Sequence, residues 1–326
     1  MVANTKVHIL WEHAHIRPVE SLCVAGMTGD VFAVDLRDRI VLIGASGKVA
    51  WDKNVGFGAR VGAISADGSI IYMLTADGRL LRLTREAELE WEKWVDRDAN
   101  ALAIKSGGQC AVVASHKGRF HVVNSSGDPP RIVHTTQPVA FARFSPRSGD
   151  LFLAAPMGWV GYYDKHFNPV SEMNLGIPIL EVKTCAKGRR IFLPSRDGGF
   201  NIVDMDNQDM TSVDPGFPVM RLAVDSRGEK IAASGLDGEL VLLDIEGHTL
   251  WRNDTKSPIV HVDMTYDGDR FVTVSEKGVI TCYGVGDGAL AESTTTRKDA
   301  SEFEFLETGP KEGKKPGDSD FDFLEV

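Results

Sequence analysis

Glycine recurs every forty residues along most of this 326-residue chain, and this period constrains the fold more than any other feature of the sequence. The positions are Gly78, Gly118, Gly158, Gly198, Gly238 and Gly278. Proline keeps the same period at Pro18, Pro138, Pro178, Pro218 and Pro258, and tryptophan keeps it at Trp11, Trp51, Trp91 and Trp251. Because independent markers hold one period, the sequence predicts a repeat protein.

Each forty-residue unit contains four short strand-like runs separated by turn residues. In the sixth unit these runs are residues 219–224, 230–234, 240–244 and 249–253. Asp237-Gly238, between the second and third runs, is a hairpin signal because glycine accepts a positive φ. Four strands per unit over seven units predict an all-β fold, a seven-bladed β-propeller of 40-residue four-stranded blades. We expect the propeller to span residues 1–296 and a disordered C-terminal tail to span 297–326.

A ring of blades must also close, because an open ring leaves an unpaired sheet edge. Trp11 lies in the phase of the outermost strand, yet no complete blade precedes it. Residues 7–13 are therefore predicted to be the outer strand of the last blade. The competing candidate is 289–294, which shares the phase but has weak β character, and we favour residues 7–13.

Composition and charge exclude several classes of function. The formal net charge is −10, from 36 Lys and Arg against 46 Asp and Glu, whereas a nucleic-acid-binding surface needs a basic stripe. No apolar run approaches the roughly 18 residues that cross a bilayer, and the N-terminus lacks a signal-peptide pattern. The four cysteines form no Cys-x-x-Cys pair. We therefore expect a cytoplasmic protein with no nucleic-acid partner and no membrane insertion.

The repeats resemble those of two propeller families. The stretch 237–244, Asp-Gly-Glu-Leu-Val-Leu-Leu-Asp, is similar to the third strand of WD-repeat propellers, with Tyr163-Asp164, Val203-Asp204 and Leu243-Asp244 in the place of the Trp-Asp pair. The continuation 244–251, Asp-Ile-Glu-Gly-His-Thr-Leu-Trp, is similar to quinoprotein-like repeats, in which an Asp…Gly…Trp run closes each blade. The second resemblance implies enzymes that bind a quinone with a calcium ion outside the cytoplasm. An exporting signal and adjacent cysteines of the kind some of those enzymes use are absent from this sequence.

Few residues suggest a chemical site. His13 and His15 alternate on a strand and can begin a zinc or copper site, but no third ligand can be assigned, so we interpret them as a surface pair at a strand end. No nucleophile elbow, phosphate-binding loop or zinc-protease motif occurs. We expect no enzyme activity, no cofactor and no metal. The alternative function is a metal- or quinone-dependent reaction in the central channel.

One face of the predicted propeller is asymmetric. Loops joining strands two and three, and loops joining strand four to the next blade, share a face, which we call the top face. Its equivalent positions are mostly charged, but blades 4 to 6 carry apolar residues there: Met157, Ile177, Leu180, Phe217, Met220 and Leu236. Because loop residues normally face water, these side chains predict a protein-binding patch. The alternative is that some of them fill the central channel.

The tail contains two copies of a Phe-acid-Phe-Leu-acid motif, at 302–307 and 320–325. Their apolar residues are Phe303, Phe305, Leu306, Phe321, Phe323 and Leu324. The surrounding Gly, Pro and charged residues predict disorder, in which isolated Phe side chains gain nothing from folding. The motifs are therefore predicted to dock on a protein partner. The leading hypothesis is a non-enzymatic protein–protein interaction scaffold, and a further alternative is that the tail binds the propeller's own patch.

Overall fold

The computed structural model describes residues 5–15, 17–186 and 189–286. These residues form 28 strands in seven four-stranded antiparallel sheets. The described part of the chain contains no helix long and apolar enough to cross a lipid bilayer. The prediction of an all-β propeller with seven four-stranded blades is confirmed.

The first strand in the chain, β1 (Val7–Ala14), belongs to the last blade, and blades 1 to 4 each take four consecutive strands after it. Blade 1 contains β2 (Val19–Val24), β3 (Val31–Asp35), β4 (Arg39–Ile43) and β5 (Val49–Asn54). Blade 2 contains β6 (Ala59–Ile64), β7 (Ile70–Thr75), β8 (Arg79–Thr84) and β9 (Leu89–Trp94). Blade 3 contains β10 (Ala99–Ile104), β11 (Cys110–Ser115), β12 (Arg119–Asn124) and β13 (Arg131–His134). Blade 4 contains β14 (Phe141–Phe144), β15 (Leu151–Ala154), β16 (Trp159–Tyr163) and β17 (Pro169–Asn174).

Blades 5 and 6 follow the same order, and blade 7 combines both ends of the described chain. Blade 5 contains β18 (Lys183–Thr184), β19 (Arg190–Pro194), β20 (Phe200–Asp204) and β21 (Asp209–Val213). Blade 6 contains β22 (Arg221–Val224), β23 (Lys230–Ser234), β24 (Glu239–Asp244) and β25 (Thr249–Asp254). Blade 7 contains β26 (Ile259–Met264), β27 (Arg270–Ser275), β28 (Val279–Val285) and β1.

The seventh sheet shows how the ring closes. Strand β1 pairs antiparallel with β28 and forms its outer edge, with Val7 opposite Val285 and Ala14 opposite Val279. Residues 7–13 therefore lie at the position that the Trp phase indicated. The competing segment, 289–294, lies outside the described residues.

Hydrophobic side chains fill the interfaces between neighbouring blades. Strand β3 is buried along its whole length and contributes to two of these clusters. Phe32 and Val34 pack in the cluster shared with blade 2, whereas Val31 and Ala33 pack in the cluster shared with blade 7. Because successive side chains of a strand point to opposite faces, an inner strand buried on both faces is apolar at every position.

The repeated tryptophans join the outer parts of neighbouring blades. The indole N–H groups of Trp11, Trp51 and Trp91 each donate to a carbonyl 34 residues later, at 3.1, 2.7 and 2.9 Å. Trp11 is 9% exposed, and it packs on Gly47 so closely that a Cβ there would lie 2.6 Å from the indole. The Trp series is therefore structural.

A circle of hydrogen bonds, which we call the inner belt, joins the turns between the first and second strands of successive blades. Backbone N–H groups make five steps: Met27 to the Ala66 carbonyl (2.8 Å), Ala66 to Ser106 (2.7 Å), Ala186 to Ser226 (2.6 Å), Ser226 to Tyr266 (2.9 Å) and Tyr266 to Gly26 (2.8 Å). Pro146 has no N–H, and hydroxyls make the two steps beside it. Ser106 Oγ donates to the Pro146 carbonyl at 2.7 Å, and Ser145 Oγ donates to the Cys185 carbonyl at 3.3 Å.

We predict that Trp11→Ala lowers the free energy of unfolding by about 3 to 4 kcal/mol, because it leaves a cavity beside Gly47 and removes a link between blades 7 and 1. The measurement is urea-induced unfolding. The matched control is Trp94→Ala, which removes an indole that is 63% exposed and should cost less than about 0.5 kcal/mol. Equal losses for the two variants would contradict the structural role of Trp11.

Candidate functional site

The central channel is lined by the first strands of the seven blades, and most of its charged side chains come from blades 4 to 7, with Glu20 of blade 1 the exception. At one repeat position blades 1 to 3 present small side chains, whereas blades 5 to 7 present ionisable ones. The residues are Ser21, Val61 and Ala101 on the first side, and Glu181, Arg221 and His261 on the other. They surround a cavity of about 290 Å³. A second cavity of about 220 Å³ lies next along the channel and includes Arg143, Lys183 and Asp263 in its wall.

Lys183 is the centre of an ion-pair network in this channel. Its Nζ lies 3.2 Å from Glu181 Oε1 and 3.5 Å from Asp263 Oδ1, and its side chain is 12% exposed. It also donates to the Val262 carbonyl at 3.2 Å, so that it connects blade 5 with blade 7. Burial opposes ionisation of Glu181, but the charges of Lys183 and neighbouring arginines outweigh that effect and hold the pKa of Glu181 below its usual value.

The channel carboxylates also accept backbone hydrogen bonds from neighbouring blades. Asp263 Oδ2 accepts the Val24 N–H at 2.9 Å, which joins blade 7 to blade 1. Glu181 Oε2 accepts the Leu222 N–H at 3.3 Å, which joins blade 5 to blade 6. Both carboxylates therefore have structural partners.

Arg221 and His261 are held in the same way. Arg221 Nε donates to the Val260 carbonyl at 2.7 Å, and His261 Nε2 lies 3.2 Å from the Val19 carbonyl. Burial, followed by the nearby Arg221 charge, lowers the pKa of His261. A neutral His261 with its proton on Nε2 donates this hydrogen bond from blade 7 to blade 1.

The top-face residues do not behave alike. Met157 is 85% exposed and Leu236 is 59% exposed, whereas Ile177, Leu180 and Met220 are half-buried. Leu180 contributes to the wall of the larger channel cavity.

Phe217 was expected to be exposed on the top face, and that expectation is wrong. Its side chain is 6% exposed and packs in the cluster between blades 5 and 6. Gly235 provides the space, since a Cβ there would lie 2.8 Å from the Phe217 ring, and the Arg252 guanidinium lies 5.7 Å from the ring centre. A loop residue can therefore belong to the core when the facing residue is glycine.

The apolar top-face residues also do not form one continuous patch. The turn between strands two and three of blade 5 lies between Met157 and Leu236 in the ring, and it carries exposed Arg196 and Asp197. Two exposed apolar residues on this face were missed by the sequence analysis: Leu36 is 61% exposed and Trp94 is 63% exposed. The signal for Trp94 is its odd spacing from Trp91, which places the two indoles on opposite faces of β9.

His13 and His15 are not a surface pair. His15 is 6% exposed, and its Nε2 lies 3.2 Å from Asp35 Oδ2, which is itself buried. The ring centres of the two histidines lie 6.3 Å apart. His15 is therefore a buried partner of Asp35. The tail residues Phe303, Phe305, Leu306, Phe321, Phe323 and Leu324 lie outside the described residues.

Comparison with known proteins adds one match. A family model described as outer membrane protein assembly factor BamB matches residues 3–130. These residues include β1, blades 1 and 2 and most of blade 3. The chain is a seven-bladed propeller, and its first part is similar to this family. No curated protein matches the chain.

Some quinoprotein-like propellers hold a quinone with a calcium ion, and the channel of this propeller does not fit such a group. Calcium needs several free carboxylate and carbonyl oxygens. Here the Lys183 ammonium lies within 3.5 Å of both Glu181 and Asp263, and its positive charge would repel a calcium ion at the same carboxylates. Because the oxygens of Glu181 and Asp263 are already paired with Lys183, they are not available as calcium ligands.

A group with ligand atoms within 4.8 Å of one another is found elsewhere among the described residues, at Asp244, Glu246 and His248. It lies in the turn between strands three and four of blade 6, away from the channel. Asp244 accepts the His248 backbone N–H at 2.8 Å and lies 2.9 Å from its Nδ1. Asp164 accepts the backbone N–H of Asn168 in the equivalent turn of blade 4, so this arrangement stabilises the turn.

We predict that Lys183→Met lowers the free energy of unfolding by about 3 kcal/mol at neutral pH, because it leaves the partly buried carboxylates of Glu181 and Asp263 without their cation. The folded pKa of Glu181 is lowered, so its ion pair contributes stability above the unfolded pKa of a glutamate, and this contribution is lost as the pH falls. The difference from wild type should therefore be fully present above about pH 5 and shrink as the pH falls from there towards the lowered pKa of Glu181.

The measurement is urea unfolding across that pH range, with the exposed Lys165→Met as the matched control. The control should change stability by less than about 0.5 kcal/mol at every pH. A loss for Lys183→Met that does not depend on pH would show that packing of its aliphatic stem, rather than charge, is what the channel needs.

Proposed function

We propose that this protein is a non-enzymatic interaction scaffold that binds a protein partner on its top face. The observation that supports this function is the exposure of Met157, at 85%, and Leu236, at 59%, on turns between strands two and three; the position of Met157 carries a charged residue in every other blade. Leu36 and Trp94 add exposed apolar area on the same face. Exposed methionine and tryptophan side chains are enriched at protein interfaces.

The charges in the channel support a structural role for that region. Glu181, Asp263, Arg221 and His261 each have a partner in a neighbouring blade or strand. Groups that serve as general acids, bases or metal ligands need an atom that is free to act on a substrate. We therefore place the function on the surface of the propeller.

The two tail motifs extend the proposal. Extended Phe-acid-Phe segments place both rings on one side and the acids on the other, since side chains alternate with period two. Each copy can then add a strand to a partner's sheet edge. Twelve residues separate the copies in the sequence, and a flexible coil of that length would span roughly 20 Å, so that two sites on one partner could be engaged together.

The proposal includes a cytoplasmic location. Three of the four cysteines, Cys110, Cys185 and Cys282, are buried and lie in different blades, which suits a reducing compartment. The matching family model is named for an outer membrane protein assembly factor. Cell fractionation with antibodies against the chain distinguishes a cytoplasmic from an envelope location.

We predict that the double variant Met157→Ser and Leu236→Ser weakens binding of the partner roughly tenfold or more. The partner is first identified by affinity purification on the wild-type chain, and its dissociation constant is then measured with purified proteins. The matched control is Ile9→Ser with Leu89→Ser, which removes apolar side chains 52% and 54% exposed on outer strands. Unchanged affinity for the top-face variant would place the partner elsewhere.

For the tail, we predict that Phe321→Ala with Phe323→Ala weakens binding, as does Phe303→Ala with Phe305→Ala, and that changing all four costs more than either pair. The same binding assay measures these effects. The control changes Lys311 and Lys314, between the motifs, to Ala. A quadruple variant that binds as tightly as wild type would exclude docking through the motifs.

A further inference from the structure

The end of the channel opposite the top face opens into a cavity of about 540 Å³. Its walls come from the turns that form the inner belt. Met27, Pro146, Ala186 and Tyr266 provide its apolar surface. Met27 is 73% exposed, and it is informative because it belongs to an apolar surface shared with three other residues.

The floor of this cavity is fixed in place. The Tyr266 hydroxyl of blade 7 reaches Ser106 of blade 3 at 3.0 Å, and Ser106 Oγ donates in turn to the Pro146 carbonyl. The Tyr266 ring lies against Gly26, where a Cβ would be only 2.4 Å from it. A preformed apolar floor lowers the entropic cost of binding a ligand.

Cations border the cavity on the side opposite Met27. Arg147 and Arg227 occupy the same repeat position in blades 4 and 6, and both are exposed. Arg227 lies 3.3 Å from Glu229, which also lines the cavity, and 3.8 Å from Asp225, whereas Arg147 has no ion pair or hydrogen bond within the described ranges.

Further positive groups lie beside this border. A neighbouring cavity of about 400 Å³ is shared by Arg147, Lys105 and Lys165. Lys105 is held by the Lys165 carbonyl at 3.0 Å, and Lys165 itself is exposed. The linings of the two cavities thus hold four cationic side chains against one carboxylate, that of Glu229, which is a local excess of positive charge in a chain of net charge −10.

We propose that this cavity binds an acidic peptide segment of a partner protein. An aromatic or aliphatic side chain of the peptide fills the space beside Met27 and Tyr266, and flanking carboxylates lie beside Arg147 and Arg227. The size of the cavity suits one or two large side chains, whereas a membrane surface would be met by a flat or convex basic face. The proposal does not depend on the top face, because the two surfaces lie at opposite ends of the channel.

The test measures fluorescence anisotropy of a labelled peptide, Glu-Phe-Glu-Phe-Leu-Glu, with the full-length chain. Every protein in the series also carries Phe303→Ser, Phe305→Ser, Phe321→Ser and Phe323→Ser, so that the chain's own copies of this sequence cannot compete. We expect saturable binding that weakens about tenfold in Arg147→Glu with Arg227→Glu and several-fold in Met27→Ser. Binding should also weaken as salt rises, and a peptide with Ser for Phe and Leu should not bind.

The matched control is Arg97→Glu with Arg196→Glu, which makes the same change of net charge with exposed arginines on the top face. Equal affinity of the peptide for the two double variants overturns the proposal. The proposal also fails if the protein with only the four tail changes shows no saturable peptide binding. Binding to vesicles of phosphatidylglycerol and phosphatidylcholine that depends on Arg147 and Arg227, without peptide binding, would overturn it in favour of a membrane. None of these variants changes Met157 or Leu236, so failure here is separate from failure of the top-face scaffold.

Discussion

Each turn between the first and second strands is hydrogen-bonded to the corresponding turn of the next blade. This inner belt therefore sets the height of every first strand, that is, its position along the channel axis. Pro146 has no N–H to donate. The belt nevertheless continues past it, because Ser106 and Ser145 supply hydroxyl donors on either side. Blade packing, the position of the channel side chains and the floor beside Tyr266 all depend on this common height. Closure through β1 secures the same ring at its outer edge.

The features that distinguish this propeller lie where its blades depart from the repeat. Lys183 and Asp263 occupy the same repeat position in blades 5 and 7, and they pair across blade 6. Ala223, at that position in blade 6, is fully buried and too small to separate them. The charged part of the channel thus connects blades that do not touch through their sheets, and it faces small side chains at the equivalent positions of blades 1 to 3.

Periodicity allowed the architecture to be predicted because each blade repeats the same local pattern of strand and turn. The blade 6 strands differ from prediction only at their ends. The first begins at Arg221 instead of residue 219, and just before it the Met220 N–H donates to the Ser234 carbonyl. Side-chain environment was harder to predict because it depends on residues distant in sequence. Phe217 is buried through the space left by Gly235, and the Lys183 network is assembled across eighty residues. The exposure of Met27 could not be predicted from the top-face loops, because Met27 lies in a turn between first and second strands at the other end of the channel.

The pairing of β1 with β28 also has a consequence for biosynthesis. Trp11 leaves the ribosome early, yet Cys282, opposite it in the seventh blade, is translated about 270 residues later. At about 5 to 20 residues per second, the first strand waits roughly 15 to 55 seconds for its partner. During that interval blade 1 can fold against blade 2, but its other face lacks blade 7, and Val31 and Ala33 are exposed to solvent. The nascent chain therefore carries an open apolar face until translation of the last blade, and non-local closure sets the time over which chaperones can act on it.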